Sequence, residues 1–404
     1  MTIRKQPSDF IVREVLAEDV ARAIATSRGN RRHALYELRK ESLATPEAAA
    51  ALARTLRVRP QDVSYAGLKD KHARTTQHVT AALRPNAPAP PLADGPRWTA
   101  RFLGWLDHPL AAVAIERNEF DIVVRDLPPT AVAEMDRRAA ILRTGEGDHG
   151  SRLLIVNYFG DQRFGSARHG EGFAARHMVR GEFETALRLA IATPARKDTG
   201  LRRRFTRLAA QSWGTWAELA ATLPPCPERR AVERLAAGAG FDEAIGALPR
   251  FLRMILIEAY QSYLWNQTAH RLVSGLAPPT DAPGARIIAA DDRFGTMLFP
   301  APSLVPEPLR CASVPMLAPG IRLTEPWGAA AQAVLQAEGL SLDNLRLPPS
   351  IGVTFGSAER PLFVEATGVR LDPPEPDGPR LKRLVRFALP RGAYATVVLR
   401  ALGQ

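Results

Sequence analysis

The chain has 404 residues, 46% hydrophobic and 24% charged, with a formal net charge of +12. That balance excludes wholesale disorder and a coiled coil, and the length predicts two or three domains around a substantial core. No apolar run can span a bilayer, the N-terminus shows no apolar leader, and two cysteines, Cys226 and Cys311, make no disulfide framework, which together predict a cytoplasmic protein.

The first predicted element is a strand over the first ten to fifteen residues, where Phe10, Val12 and Glu14 alternate with Ile11, Arg13 and Val15. A helix is predicted over 45–58: Thr45 can cap it, Pro46 suits its first turn, Ala49, Leu52 and Leu56 share a face, and Pro60 stops it. The polar stretch 62–80 carries few structural signals, and the proline-rich 84–97 reads as a surface loop. A strand over 119–127 sets Phe120, Ile122 and Val124 on one face and closes at Pro128 and Pro129. A helix over 131–143 spaces Val132, Met135, Ala139 and Leu142 along one side. From about 170 to 345 the chain is rich in helix pattern and arginine, and Leu252, Ile255, Leu256, Ala259 and Tyr263 form a stripe that reads as helix packing. Two strand-like runs, 384–390 and 392–402, then flank a Pro-Arg-Gly turn. Strands, helices and strands again predict an α+β domain split by an insertion.

Three segments carry chemistry. In 65–77, YAGLKDKHARTTQ, Lys69 and Lys71 flank Asp70 although only six of the 54 cations are lysine. Neighbouring cations favour an ionised carboxylate, which can serve as nucleophile, general base or metal ligand; the bland alternative is a solvated turn with Asp70 capping it. In 157–165, NYFGDQRFG, aromatic rings beside Arg163 could stack bases and hold phosphate, or pin a tight turn from the core. Asn118 and Phe120, two apart on a strand, could read and stack a base from one face, or be a capping amide and a core ring. No P-loop, zinc spacing or nucleophile elbow occurs, and Gly238–Gly240 follows a helical pattern where a dinucleotide fingerprint would follow a strand. The positive balance suits nucleic acid, with arginines grouped within 29–33, 201–207 and 380–386, although a GC-rich genome would produce a similar excess.

Five segments, at 7–16, 33–45, 65–77, 157–165 and 389–400, together with Asn-Glu-Phe at 118–120, resemble in content and order the TruD family of tRNA pseudouridine synthases. The likeness is sharpest in GLKDKHA and NYFGDQRFG, and thin over 170–345, where only the helix near 251–272 matches. It implies a pseudouridine synthase fold with a mostly antiparallel sheet, split by a helix-rich TRUD-type insertion: a catalytic domain from 1–165 and 346–404, and an inserted domain from 166–345. It implies isomerisation of uridine to pseudouridine in tRNA, at position 13 of the D-arm, by base flipping and an aspartate nucleophile. No cofactor, metal, membrane or protein partner is implied, and the family pattern leans towards a monomer. Asp70 falls on the catalytic aspartate; Phe10, Asn118 and Tyr394 fall on positions that contact the target nucleoside, with Phe120 beside them on its strand. Lys69, Lys71 and Arg163 complete the expected substrate-binding set. Tyr394 stands where phenylalanine is common, and Arg4 where lysine is often found. Outside that reading stand a non-catalytic tRNA-binding or RNA-folding protein on the same scaffold, which would not need Asp70, a methyltransferase using Cys226, and a structural ribosome-associated protein.

Overall fold

The computed structural model describes residues 2–147, 150–166, 172–194, 200–276 and 286–404. They form two compact units. The first holds residues up to Ile155, a short piece ending at Ile288, and Val364–Gln404; the second holds Val156–Ala282 and Ala289–Phe363.

In the first unit the chain runs β1 (Phe10–Leu16), α1 (Glu18–Arg22), β2 (His33–Glu41), α2 (Thr45–Thr55), β3 (Val63–Tyr65), β4 (Arg74–Ala82), β5 (Leu92–Gly95), β6 (Trp98–Leu106), β7 (Ile115–Leu127), α3 (Pro129–Leu142), β8 (Arg143–Gly147) and β9 (Gly150–Val156). The second unit contributes α4 (Ala174–Met178), α5 (Phe183–Ile191), α6 (Gly200–Gln211), α7 (Trp216–Thr222), α8 (Arg229–Ala236), α9 (Phe241–Gly246), α10 (Arg250–Ser274), β10 (Ile287–Asp292), β11 (Gly295–Pro300), α11 (Glu307–Arg310), β12 (Ser313–Pro315), α12 (Gly328–Ala337) and β13 (Glu359–Pro361). The chain then closes with β14 (Phe363–Leu371), β15 (Glu375–Asp377), β16 (Arg380–Pro390) and α13 (Ala395–Ala401).

The expected α+β architecture is present. A large sheet runs β5-β6-β2-β4-β1-β7-β16-β14-β9-β8, with β3 and β15 as side branches on β4 and β16. β1 and β4 are parallel, whereas β1–β7, β7–β16, β2–β4 and β2–β6 are antiparallel. One face is apolar: Phe10, Val12, Ile122, Val124, Val385, Phe387 and Leu389 are buried there, and alternation places them together. The opposite face is charged, with Arg13 on Asp121 at 2.8 Å and Arg386 on Asp372 at 2.7 Å.

Four sequence expectations are corrected. α2 starts at Thr45 with Ala44 as its N-cap, because the Thr45 hydroxyl is committed to Gln77 Oε1 at 2.9 Å and to the Lys69 amide at 3.0 Å. The stretch 62–80 holds β3 and β4; Thr75, Gln77 and Thr80 are buried there, and the Gln77 amide and Thr80 hydroxyl have hydrogen-bond partners. The run 392–402 is helix α13, since Val397, Val398, Leu399 and Ala401 all bury in the core and packing overrides β-branched preference. The 84–97 loop includes β5. The unit division also differs from the expected bounds at 165/166 and 345/346. Within the second unit the Asn157 amide donates to Leu362 O at 2.8 Å, the Phe159 amide donates to Asn266 Oδ1 at 2.8 Å, and Arg253 donates to Ile351 O.

Candidate active site

Residues 66–73 form the loop of the β3–β4 hairpin, whose register pairs Tyr65 with Val79. The loop is tied down at several points. Gln77 Nε2 donates to Gly67 O at 3.5 Å, Thr45 Oγ1 accepts from the Lys69 amide, and Lys40 Nζ on β2 donates to Asp70 O at 2.9 Å and Lys69 O at 3.5 Å. Asp70 then closes an Asx turn, its Oδ1 accepting from the His72 amide at 2.9 Å.

The cation on Asp70 is Arg4, whose Nη2 lies 3.0 Å from Oδ2; the Asp70 side chain keeps 14% of its exposure. The flanking lysines turn elsewhere. Lys69 Nζ reaches Glu14 Oε2 at 2.5 Å, and Lys71 Nζ reaches Glu47 Oε1 at 3.4 Å. Both lysines lie beside Asp70 in the chain, but their ammonium groups pair with β1 and α2, so sequence adjacency overstated their contact with Asp70.

Arg4, whose backbone is left-handed (φ 65°), also lies 4.2 Å from the centroid of Phe10, a cation–π contact. Phe10 meets Phe120 edge-on at 6.3 Å, and Phe120 stacks on Phe387 at 5.3 Å. The three rings are buried and continue the apolar face of β1, β7 and β16. Phe10 is aimed by the turn before it: Asp9 accepts from the Gln6 amide and takes a two-pronged ion pair from Arg125 at 3.0 and 2.7 Å. Burial alone would raise the Asp9 carboxyl, but the Arg125 and Gln6 bonds outweigh it and hold it below the usual range.

Asn118 sits opposite Glu14 across the β1–β7 register, and its Oδ1 is buried with no hydrogen-bond partner among the described residues. Glu14 is a buried charge of the site, its side chain fully covered. Its Oε1 accepts from the His78 amide at 2.8 Å, with the His78 ring 3.4 Å away. Burial would push this carboxyl up, yet the His78 bonds and Lys69 outweigh it and hold it below the ordinary value of 4.5. Sequence reasoning read Glu14 only as part of an alternation and passed over Lys40 and His78. The signal was present for two of them: Glu14 and Lys40 occupy inward positions on strands whose other inward residues are apolar.

Tyr394 occupies the N-cap of α13, half-buried, a few residues beyond Leu389, which registers with Asn118. Arg163 lies in the second unit, bound to Ser262 Oγ at 3.1 Å and Glu258 at 2.9 Å on α10. Its segment is core: Tyr158, Phe159 and Phe164 are buried, Phe159 packs edge-on against Trp265, and Arg360 covers the Phe159 ring at 4.1 Å. These rings therefore have packing partners within the second unit, as the pinned-turn reading expects. Burial first, then Glu228, pushes the Cys226 thiol up, away from the thiolate a nucleophile requires. Among the described residues no three metal-binding side chains stand together, and no helix is long and apolar enough to cross a membrane.

The family model described as tRNA pseudouridine synthase D (TruD) matches residues 1–402. The chain is 27% identical over 410 residues to tRNA pseudouridine synthase D of Aquifex aeolicus, covering 99% of this chain and 97% of that one. It is 29% identical over 412 residues to the enzyme of that name from Geobacter sp. strain M21, covering 98% and 94%. Its fold matches the crystal structure of a TruD-type protein from Methanosarcina mazei at a TM-score of 0.67, with 22% identity over 99% of this chain and 92% of that one. With the family match running from residue 1 to residue 402, the chain belongs to the TruD family of tRNA pseudouridine synthases.

Proposed function

We propose that this protein isomerises uridine to pseudouridine in tRNA, at position 13 of the D-arm, with Asp70 as nucleophile. The observation that carries the reading is the Asp70 carboxylate itself, fixed by an Asx turn and by Arg4 beside the Phe10 and Phe120 rings, in a chain of this family. The reaction breaks the bond from C1′ to N1 and forms one from C1′ to C5; C5 loses a proton and N1 gains one. No electrons change hands, so the proposal requires no redox partner.

The uridine must first leave its stack, at a cost of a few kcal/mol. A ring contact returns about 1–3 kcal/mol. Arg4 covers a face of Phe10, so a base stacking there exchanges a cation–π contact for a ring–base contact while the guanidinium keeps its hold on Asp70. The unpartnered Asn118 Oδ1 accepts a hydrogen bond from the flipped nucleoside, and Tyr394 supplies a further ring. Lys69 acts on the site through Glu14. Lys71, exposed and weakly paired, is left for backbone phosphate.

The direct test incubates the protein with unmodified tRNA and maps carbodiimide adducts. A new adduct at position 13, lost when that uridine is replaced by cytidine, is expected; an adduct elsewhere with position 13 untouched would overturn the site assignment.

The arginine groups are unequal. Arg383 is buried on Asp136, Arg386 is paired with Asp372, and Arg380 lies near Asp126, so 380–386 is mostly internal pairing on β16. On α6, Arg204 and Arg207 are exposed. Such exposed cations make tRNA affinity fall about tenfold or more between 50 and 200 mM salt, by counterion release. Filter binding at the two salt concentrations checks this, and equal affinities would contradict it.

A further inference from the structure

We propose that Lys40 is a positioning residue for this reaction: from β2 its ammonium holds the main chain of Lys69 and Asp70 and so sets where the Asp70 carboxylate points. The proposal rests on the assignment of Asp70 as nucleophile and adds a residue to it.

The geometry is direct. Lys40 is 2% exposed, and its Nζ donates to the carbonyls of Asp70 at 2.9 Å and Lys69 at 3.5 Å. It follows Tyr36 and Leu38 on the inward side of β2, where the pattern calls for an apolar residue. A lysine is among the residues least often buried, and here no carboxylate lies within ion-pairing distance among the described residues. The buried ammonium instead spends its hydrogen bonds on the backbone of one loop. The Asp70 side chain has two further restraints, the His72 amide and Arg4, but both act on the carboxylate and neither fixes the peptide from which it hangs. Lys40 fixes that peptide.

The charged groups facing Lys40 are Asp70 and Lys69 from the loop and Glu47 from α2. Burial pulls its pKa down to about 8, against the pull of Asp70 and Glu47, with Lys69 adding to the depression. A neutral amine still donates, but without the charge that strengthens the bond. The loop is thus held firmly at neutral pH and more loosely above it. Thr45 and Gln77 keep the loop on the sheet in either state, so the change bears on the aim of the carboxylate and leaves RNA binding intact.

The test compares the wild type, Lys40→Met and Asp70→Asn in single-turnover pseudouridine formation from pH 6.5 to 9.5, with tRNA affinity measured in parallel. Lys40→Met is expected to lose about tenfold to a hundredfold in rate at neutral pH, the cost of a misplaced reacting group, with affinity within about twofold of the wild type. The wild-type rate should also fall through an alkaline limb near pH 8 that Lys40→Met lacks. A Lys40→Met rate close to wild type, or the same limb in both proteins, overturns the proposal. Should Lys40→Met fail to fold, Lys40→Gln, which keeps a donor on a shorter arm, takes its place: a rate close to the wild type's overturns the positioning role. The parallel Asp70→Asn arm separates the two ideas. An inactive wild type or an active Asp70→Asn defeats the proposed function itself, whatever Lys40 does.

Discussion

Asp70→Asn is expected to bind tRNA as tightly as the wild type and to form no pseudouridine. The substitution is chosen for what it leaves in place. Asparagine keeps an oxygen where Oδ1 stands, so the Asx turn to the His72 amide survives. The ties from Lys40, Thr45 and Gln77 involve the main chain of 67–70 and are untouched. Arg4 loses its carboxylate partner, but it is about a quarter exposed, so water can take up part of the charge. What disappears is the negative charge, and with it the nucleophile of the proposed reaction. Loss of a catalytic nucleophile lowers turnover by about four orders of magnitude or more. Single-turnover assays with excess enzyme, read by carbodiimide mapping, should show no product over a no-enzyme control while the affinity stays within about twofold. Residual turnover above that control would remove Asp70 from the mechanism. Weakened binding would instead show that the loop had moved.

β1 was readable because Phe10, Val12 and Glu14 alternate with solvent-facing residues, and the same rule placed Asn118 and Phe120 on one face of β7. Asp70 stood out by motif. Its surroundings did not, because they come from distant parts of the chain: Arg4 from before β1, Lys40 from β2 and Thr45 from α2. Spacing along a sequence says nothing about pairing across a sheet, which is why the adjacent lysines were credited with a contact that Arg4 makes. β4 was missed for a related reason. Its inward residues Thr75 and Gln77 are polar, and only the tertiary structure shows Gln77 bonded to Thr45 and Gly67. At 157–165 the residues left two readings open, a nucleotide platform and a turn pinned by buried rings. Those rings are buried in the second unit, and the arginine is committed to Glu258 and Ser262. Composition cannot separate rings that stack on a base from rings that stack on a core, since both demand the same residues.

Lys69→Met is expected to lose more stability than any exposed substitution, through a residue other than itself. Glu14 is fully covered, and Lys69 supplies the cation at 2.5 Å. Replacing that cation with an apolar side chain of similar length keeps the volume and strands the carboxylate. Breaking a buried pair from one side costs about 3–5 kcal/mol. The loss is not the worth of the pair, so Glu14→Gln combined with Lys69→Met should recover much of it; two variants in one contact do not add. The pH dependence fixes the cause. In the wild type the Glu14 carboxyl is held below its ordinary value of 4.5, so its contribution is present above that pH and drains away as pH falls through the folded value. Without Lys69 two of the influences that lower the carboxyl are gone, so it takes up a proton at a higher pH than in the wild type, and the variant suffers at neutral pH and is relieved as pH falls. The stability gap between the two proteins should therefore be widest near pH 7 and narrow towards pH 4. Urea unfolding at several pH values measures it. A gap that stays constant with pH would mean that Lys69 contributes by packing its stem, and that Glu14 is not the charge it holds.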